Sequence, residues 1–169
     1  ISAYQTAYVL TPDDIDIYVN LGSAFYDKEE YNTALAVYRQ ALELQPYNPK
    51  IHCNLGFLYW GKGDTDEAIK SYELAIKYND KYDIAYNNLG VIYLDDLGRV
   101  KKSIELFRKA VETNPNYALA HFNLARAISI IGDKVEAAKL YQTAQDINKI
   151  TQEIDPRDIA DKISELFES

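Results

Sequence analysis

The sequence is short of most of the residues that carry chemistry. Its 169 residues include one cysteine, two histidines, one tryptophan and no methionine. With Cys53 alone, no intramolecular disulfide can form, which fits a reducing compartment such as the cytoplasm. His-Glu-x-x-His, paired Cys-x-x-Cys and Gly-x-Ser-x-Gly are all missing, so neither a metal hydrolase nor a nucleophile elbow is expected. No apolar run is long enough to span a bilayer, which excludes helical membrane insertion. There is no excess of positive charge. The formal net charge is −8, with seven acids and two bases in residues 1–48, and fourteen bases and thirteen acids in residues 49–151. Without a basic stripe, nucleic-acid binding is not expected. The chain opens on Ile1 with no methionine, which suggests a piece of a longer protein.

What is abundant is tyrosine, fifteen in all, and it recurs in step. Asn20-Leu21-Gly22, Asn54-Leu55-Gly56 and Asn88-Leu89-Gly90 are spaced by 34 residues, and Asn123-Leu124-Ala125 follows 35 residues later. Each triplet is followed by a small residue (Ala34, Ala68, Ser103, Ala137), an aromatic (Tyr38, Tyr72, Phe107, Tyr141) and an alanine (Ala41, Ala75, Ala110, Ala144). Fixed-period self-similarity is the signature of a repeat array whose units bury their apolar faces only by stacking. The small residues allow close approach of helices, and the rings fill the space between them.

Tyr18, Leu21, Gly22, Phe25, Ala34, Tyr38, Ala41 and Pro46 together resemble the tetratricopeptide repeat (TPR) family. The resemblance implies an all-α, right-handed α-solenoid of helix-turn-helix repeats over 15–48, 49–82, 83–117 and 118–151. The third repeat has one extra residue, assigned to the turn Asp95-Asp96-Leu97-Gly98. Residues 1–14 match the second helix of a preceding repeat, with Tyr4, Ala7 and Pro12 in register, and residues 152–169 are expected to form a capping helix. Asp64 with Glu67, and Asp133 with Glu136, have the spacing of capping boxes.

One stretch invites another reading. Gly56-Phe-Leu-Tyr-Trp-Gly61-Lys62 has the spacing of a phosphate-binding loop, but Gly63 replaces its hydroxyl residue and the repeat places Phe57 to Trp60 inside a helix. Nucleotide binding is therefore not expected, and no cofactor is. His52 and His121 fall in the slot of Tyr18 and Tyr86, two repeats or about 20 Å apart, which suits packing and not a shared metal.

In TPR arrays the first helix of each repeat lines the surface that binds partners. Here that face carries Asn20, Asn54, Asn88 and Asn123, each with a donor and an acceptor able to bond an extended backbone. Helices about 10 Å apart would meet such a strand at about every third residue. This resembles the asparagine ladder of O-linked N-acetylglucosamine transferases. Phe57, Trp60, Val91, Leu94 and Phe122 make the face apolar, with Phe57, Trp60 and Leu94 expected as anchors and Arg126 expected to pair with an acid of the partner. The basic clamp of chaperone-binding members is not assembled, because Val19, Ile84 and Asn88 stand where its cations would be. The expectation is a non-catalytic scaffold for a protein or peptide partner. A self-assembling homo-oligomer and the targeting part of a larger enzyme, such as a glycosyltransferase, are the alternatives.

Overall fold

Helix start signals sit where the repeat requires them. Asp14 accepts from the Asp16 amide at 3.0 Å and Asn48 accepts from the Lys50 amide at 2.9 Å, with Pro49 in the first turn. The computed structural model describes residues 14–167, so the match of Tyr4, Ala7 and Pro12 to a preceding repeat lies outside the described residues. Two compact units divide the chain, Ile1–Asp80 and Lys81–Ser169. In the first, α1 (Ile15–Tyr26) pairs with α2 (Tyr31–Leu44) and α3 (Pro49–Gly61) with α4 (Thr65–Tyr78). In the second, α5 (Asp83–Val91) runs into a π-helical turn (Ile92–Asp96) and pairs with α6 (Val100–Thr113). Helix α7 (Ala118–Ile130) pairs with α8 (Lys134–Thr151), on which α9 (Pro156–Glu165) packs. No strand occurs among the described residues, and the fold is of the all-α helical-repeat class.

The first three hairpins close on one contact. A Cβ on Gly56 would stand 2.8 Å from the Tyr72 ring, and one on Gly90 2.6 Å from the Phe107 ring; Gly22 faces Tyr38 in the same way. No real side chain fits in that space, so the glycine lets the ring lie flat against the backbone of the first helix. Tyr38, Tyr72, Phe107 and Tyr141 are each at most 2% exposed, and the alanines one turn later are wholly buried. Each buried ring stabilises its hairpin by roughly 1.5–3 kcal/mol. Within the second unit, Ile159 of α9 and Leu166, which follows that helix, join the core of Leu124, Ile128 and Tyr141.

The turns show how each hairpin reverses. Gly63 adopts φ +83°, its amide donates to the Trp60 carbonyl at 2.9 Å and the Asp64 amide to Tyr59 at 2.8 Å, a Schellman ending. The same pair of bonds closes α1, from Glu29 to Tyr26 at 2.8 Å and from Glu30 to Phe25 at 2.9 Å, but here a glutamate holds φ +62°. Only one of the two expected capping boxes begins to form. Asp133 accepts from the Glu136 amide at 2.9 Å, while the Glu136 carboxylate pairs with Arg108 at 3.2 Å. Asp64 makes no cap bond and lies 3.6 Å from Lys62.

The extra residue of the third hairpin is not confined to the turn. It is absorbed from Ile92 onward as a π turn, in which the Leu97 amide reaches back to the Ile92 carbonyl at 3.2 Å. The left-handed residue comes seven positions after the small residue at Glu29, Gly63 and Gly132, but eight after it at Gly98.

Glu29→Gly should remove the strain of a left-handed non-glycine residue, about 1 kcal/mol, and raise the thermal midpoint. An unchanged or lower midpoint would contradict the description of this turn.

Candidate functional site

The first helices of the hairpins carry the residues that sequence reasoning singled out, and the two units treat them differently. In the first unit the face stays open apart from one exposed ion pair, Lys50 Nζ to Asp16 Oδ1 at 2.7 Å. Asn20 is exposed and Asn54 half-buried, with the Asn54 amide turned back to donate to the Lys50 carbonyl at 2.8 Å. Phe57 is 42% exposed and Trp60, one turn further along α3, is half-buried. Val19, also expected on this face, is buried.

Around Phe57 the unit builds an aromatic cluster. The Tyr26 ring lies 4.8 Å from that of Phe57 and 5.4 Å from that of Tyr31. The Tyr26 hydroxyl rests on Gly61, where a Cβ would collide with it. Gly61, assigned from sequence to the helix exit, is therefore the gap into which the previous hairpin's tyrosine fits. Burial, the neighbouring Tyr31 and then Asp27 push the Tyr26 hydroxyl pKa above its ordinary value, so the ring faces this surface neutral.

In the second unit the corresponding face is bonded to itself. Asn87 is 1% exposed; its Nδ2 donates to Asn88 Oδ1 at 3.2 Å, and its Oδ1 accepts from Asn123 Nδ2 at 2.9 Å. Asn123, 3% exposed, accepts in turn from Arg126 Nη1 at 3.3 Å. Arg126 closes the series on Asp95, with Nη2 to Oδ1 at 2.9 Å and Nη1 to Oδ2 at 3.4 Å. Arg126, expected to await an acid of a partner, is thus paired with an acid of its own chain. Asn123, expected to be a rung for a peptide, is a buried link. The pairing of Arg126 belongs to the π turn, in which Asp95 lies, whereas the Asn87–Asn123 bond is made on the helix before it.

The same turn corrects the role expected of Leu94. Phe25 and Ile128 take the buried position three residues after Gly22 and Ala125, at 8% and 1% exposure; Leu94, four after Gly90, takes it in the third hairpin at 6%. The extra residue rotates Leu94 into the core beside Ile104 and Phe107. It is a packing residue and not an exposed anchor. Val91 and Phe122 remain half-buried, and the Phe122 ring meets that of Tyr141 at 5.5 Å, edge to face.

The histidines hold backbone. His52 Nε2 donates to the Pro46 carbonyl at 2.8 Å and His121 Nε2 to the Pro115 carbonyl at 2.9 Å. A carbonyl only accepts, so each ring carries its proton on Nε2. No cluster of three or more His, Cys, Asp or Glu suited to a metal occurs among the described residues. The glycines of residues 56–63 form no phosphate cradle: the amides of Lys62, Gly63 and Asp64 bond the carbonyls of Leu58, Trp60 and Tyr59.

Sequence reasoning placed Asn87 on the open first-helix face, where the structure buries it, and gave no role to Tyr31. Asn87 had a readable signal, since the other repeats place Val19, Cys53 and Phe122 in its slot. Replacing Asn87 by Ala strands the Asn123 amide in a buried site, at a cost of about 1–3 kcal/mol. Thermal unfolding measures this, and a loss under 0.5 kcal/mol, roughly the scatter of neutral surface changes, would contradict the network.

Three family models match the sequence. One described as TPR repeat covers residues 22–63, and two described as tetratricopeptide repeat cover 53–118 and 106–139. No curated protein sequence matches. Among solved structures 314 chains match, so the fold by itself is too common to specify a partner. One crystal structure of MamA is 24% identical, covers 90% of this chain and 89% of its own, and superposes with a TM-score of 0.71. A second crystal structure of MamA protein, also 24% identical, covers 91% and 85% at 0.67. A MamA RS-1 ArsTM double mutant, 21% identical, covers 90% and 84% at 0.67. At these identities the likeness establishes the fold alone. With the glycine and ring contacts of three hairpins in place and the family models running from residue 22 to 139, the chain belongs to the tetratricopeptide repeat family.

Proposed function

We propose that this protein-interaction scaffold binds a peptide segment of a partner protein, and that the first-helix face of the first unit is its principal contact. The observation that carries the reading is Phe57, left 42% exposed within a ring cluster where burial would be favourable. Trp60 shares its helix face at the i, i+3 spacing, and Asn20 offers an exposed amide on α1. Burying a ring such as Phe57 contributes roughly 1.5–3 kcal/mol, so a few anchors suffice for micromolar binding after the costs of association.

The second unit contributes less in this reading. Its Asn123, Asn87 and Arg126 already satisfy one another, and a partner would have to replace those bonds to use them. Val91, Phe122 and the half-buried Asn88 are the groups it retains for contact. The family is typically non-catalytic, and the proposed role requires no bond to be made or broken. Self-association is the second reading, favoured by Ile130, Ile131 and Val135, which stand 56–68% exposed around the turn between α7 and α8.

The test is selection from a displayed library of random peptides, followed by affinity measurements on the peptides recovered. Phe57→Ser and Trp60→Ala should each weaken binding about tenfold with helicity by circular dichroism unchanged. Recovery of the same peptides at full affinity by both variants would overturn the proposal. Sedimentation of the chain alone checks the second reading: a concentration-independent monomer contradicts it.

A further inference from the structure

The turn between α1 and α2 breaks a rule that the other turns keep. Where they place Gly63, Gly98 and Gly132 at the left-handed position, this one places Glu29 at φ +62°. A glutamate there is strained, and strain that a glycine would relieve is a pointer to function. The neighbouring acids are also unlike their counterparts. Asp64 lies against Lys62, Asp95 is held by Arg126, and Asp133 caps α8. Asp27, Glu29 and Glu30 are exposed and have no ion-pair partner among the described residues.

These three carboxylates share their turn with one exposed cation, Lys28, and leave it acidic between Tyr26 and Tyr31 in the chain. Asp27 directly follows Tyr26 and Glu30 directly precedes Tyr31, whose rings pack together at 5.4 Å and lead to the exposed Phe57. Exposed ring surface beside unpaired carboxylates suits a cation on a long apolar stem. An arginine or lysine can lay its methylenes along Phe57 and Tyr26, present its charge to a ring face, and reach a carboxylate with its donors. A neutral anchor would use the rings and leave the acids idle, and an acidic segment would be repelled.

Resting on the peptide-docking reading above, we infer that the partner segment is basic: an arginine or lysine beside an apolar residue, seated on Tyr26 and Phe57 with its charge against Asp27, Glu29 and Glu30. In this reading the carboxylate of the strained Glu29 faces the partner's cation.

Two dye-labelled nonapeptides test this, one with arginines and one with glutamates flanking a central leucine in an otherwise identical Gly-Ser frame. Fluorescence anisotropy should detect binding of the arginine peptide, falling as salt rises, and at least tenfold weaker binding of the glutamate peptide. Glu29→Gly should weaken the arginine peptide about threefold while raising the thermal midpoint, an opposition that a merely structural role would not produce. Glu29→Gly with Glu30→Gln should weaken it about tenfold. Equal binding of both peptides, or an unchanged affinity in the double variant when Phe57→Ser abolishes binding, would overturn the basic partner and leave the docking reading standing. Failure of the arginine peptide to bind at millimolar concentration would overturn the inference, with the displayed-library selection deciding the docking reading separately. Self-association of the chain abolished by the double variant would overturn it in favour of a second copy.

Discussion

Three of the four hairpins depend on a ring lying against a residue with no side chain, and in the fourth Ala125 shares the core with Tyr141. Tyr38, Tyr72 and Phe107 reach across their hairpins to the backbone at Gly22, Gly56 and Gly90, closer than any Cβ permits. This contact sets the spacing of the two helices and brings the wholly buried Ala41, Ala75 and Ala110 into place behind it. Once that spacing is fixed, one side of each first helix is consumed by the core and the opposite side is left for other uses. The hydrophobic term drives the pairing, but the glycine decides its geometry, because packing at interior density tolerates no surplus atom.

The third hairpin shows what happens when one residue is added to that frame. The chain accommodates it as a π turn after Gly90, leaving the ring contact with Phe107 intact. The consequences appear downstream. Leu94 rotates into the core and Asp95 meets Arg126, which extends the Asn87–Asn123 pairing already made between α5 and α7. A local length change and the asparagine at position 87 together leave this face internally satisfied in the second unit. The open face keeps the Tyr26, Tyr31 and Phe57 rings and the acidic turn beside them.

The fold was legible from the sequence because its determinants are local and repeated: the small residue, the ring and the alanine recur at fixed offsets, and each marks the same contact. The site was legible in part. Phe57 and Trp60 were placed by helical spacing and both keep part of their rings at the surface. Leu94 was misplaced because a π turn shifts register without leaving a composition signal. Arg126 and Asn123 have partners 31 and 36 residues away, and such pairings depend on how hairpins pack rather than on the pattern within one. Asp64 shows the limit of motif reading, since its Asp-x-x-Glu spacing matches that of Asp133 while Lys62 lies near its carboxylate.

The closest test of the ring-on-glycine constraint is a double-mutant cycle on Gly56 and Tyr72 read by thermal and urea unfolding. Gly56→Ala should destabilise the protein by about 1–3 kcal/mol when Tyr72 is present, because its methyl enters the space of the ring. In the Tyr72→Leu background the same change should cost less than half as much, giving a coupling of about 1 kcal/mol or more. Additive effects of the two substitutions would show that Gly56 and Tyr72 do not act through each other, and would contradict the account of how the hairpins are held.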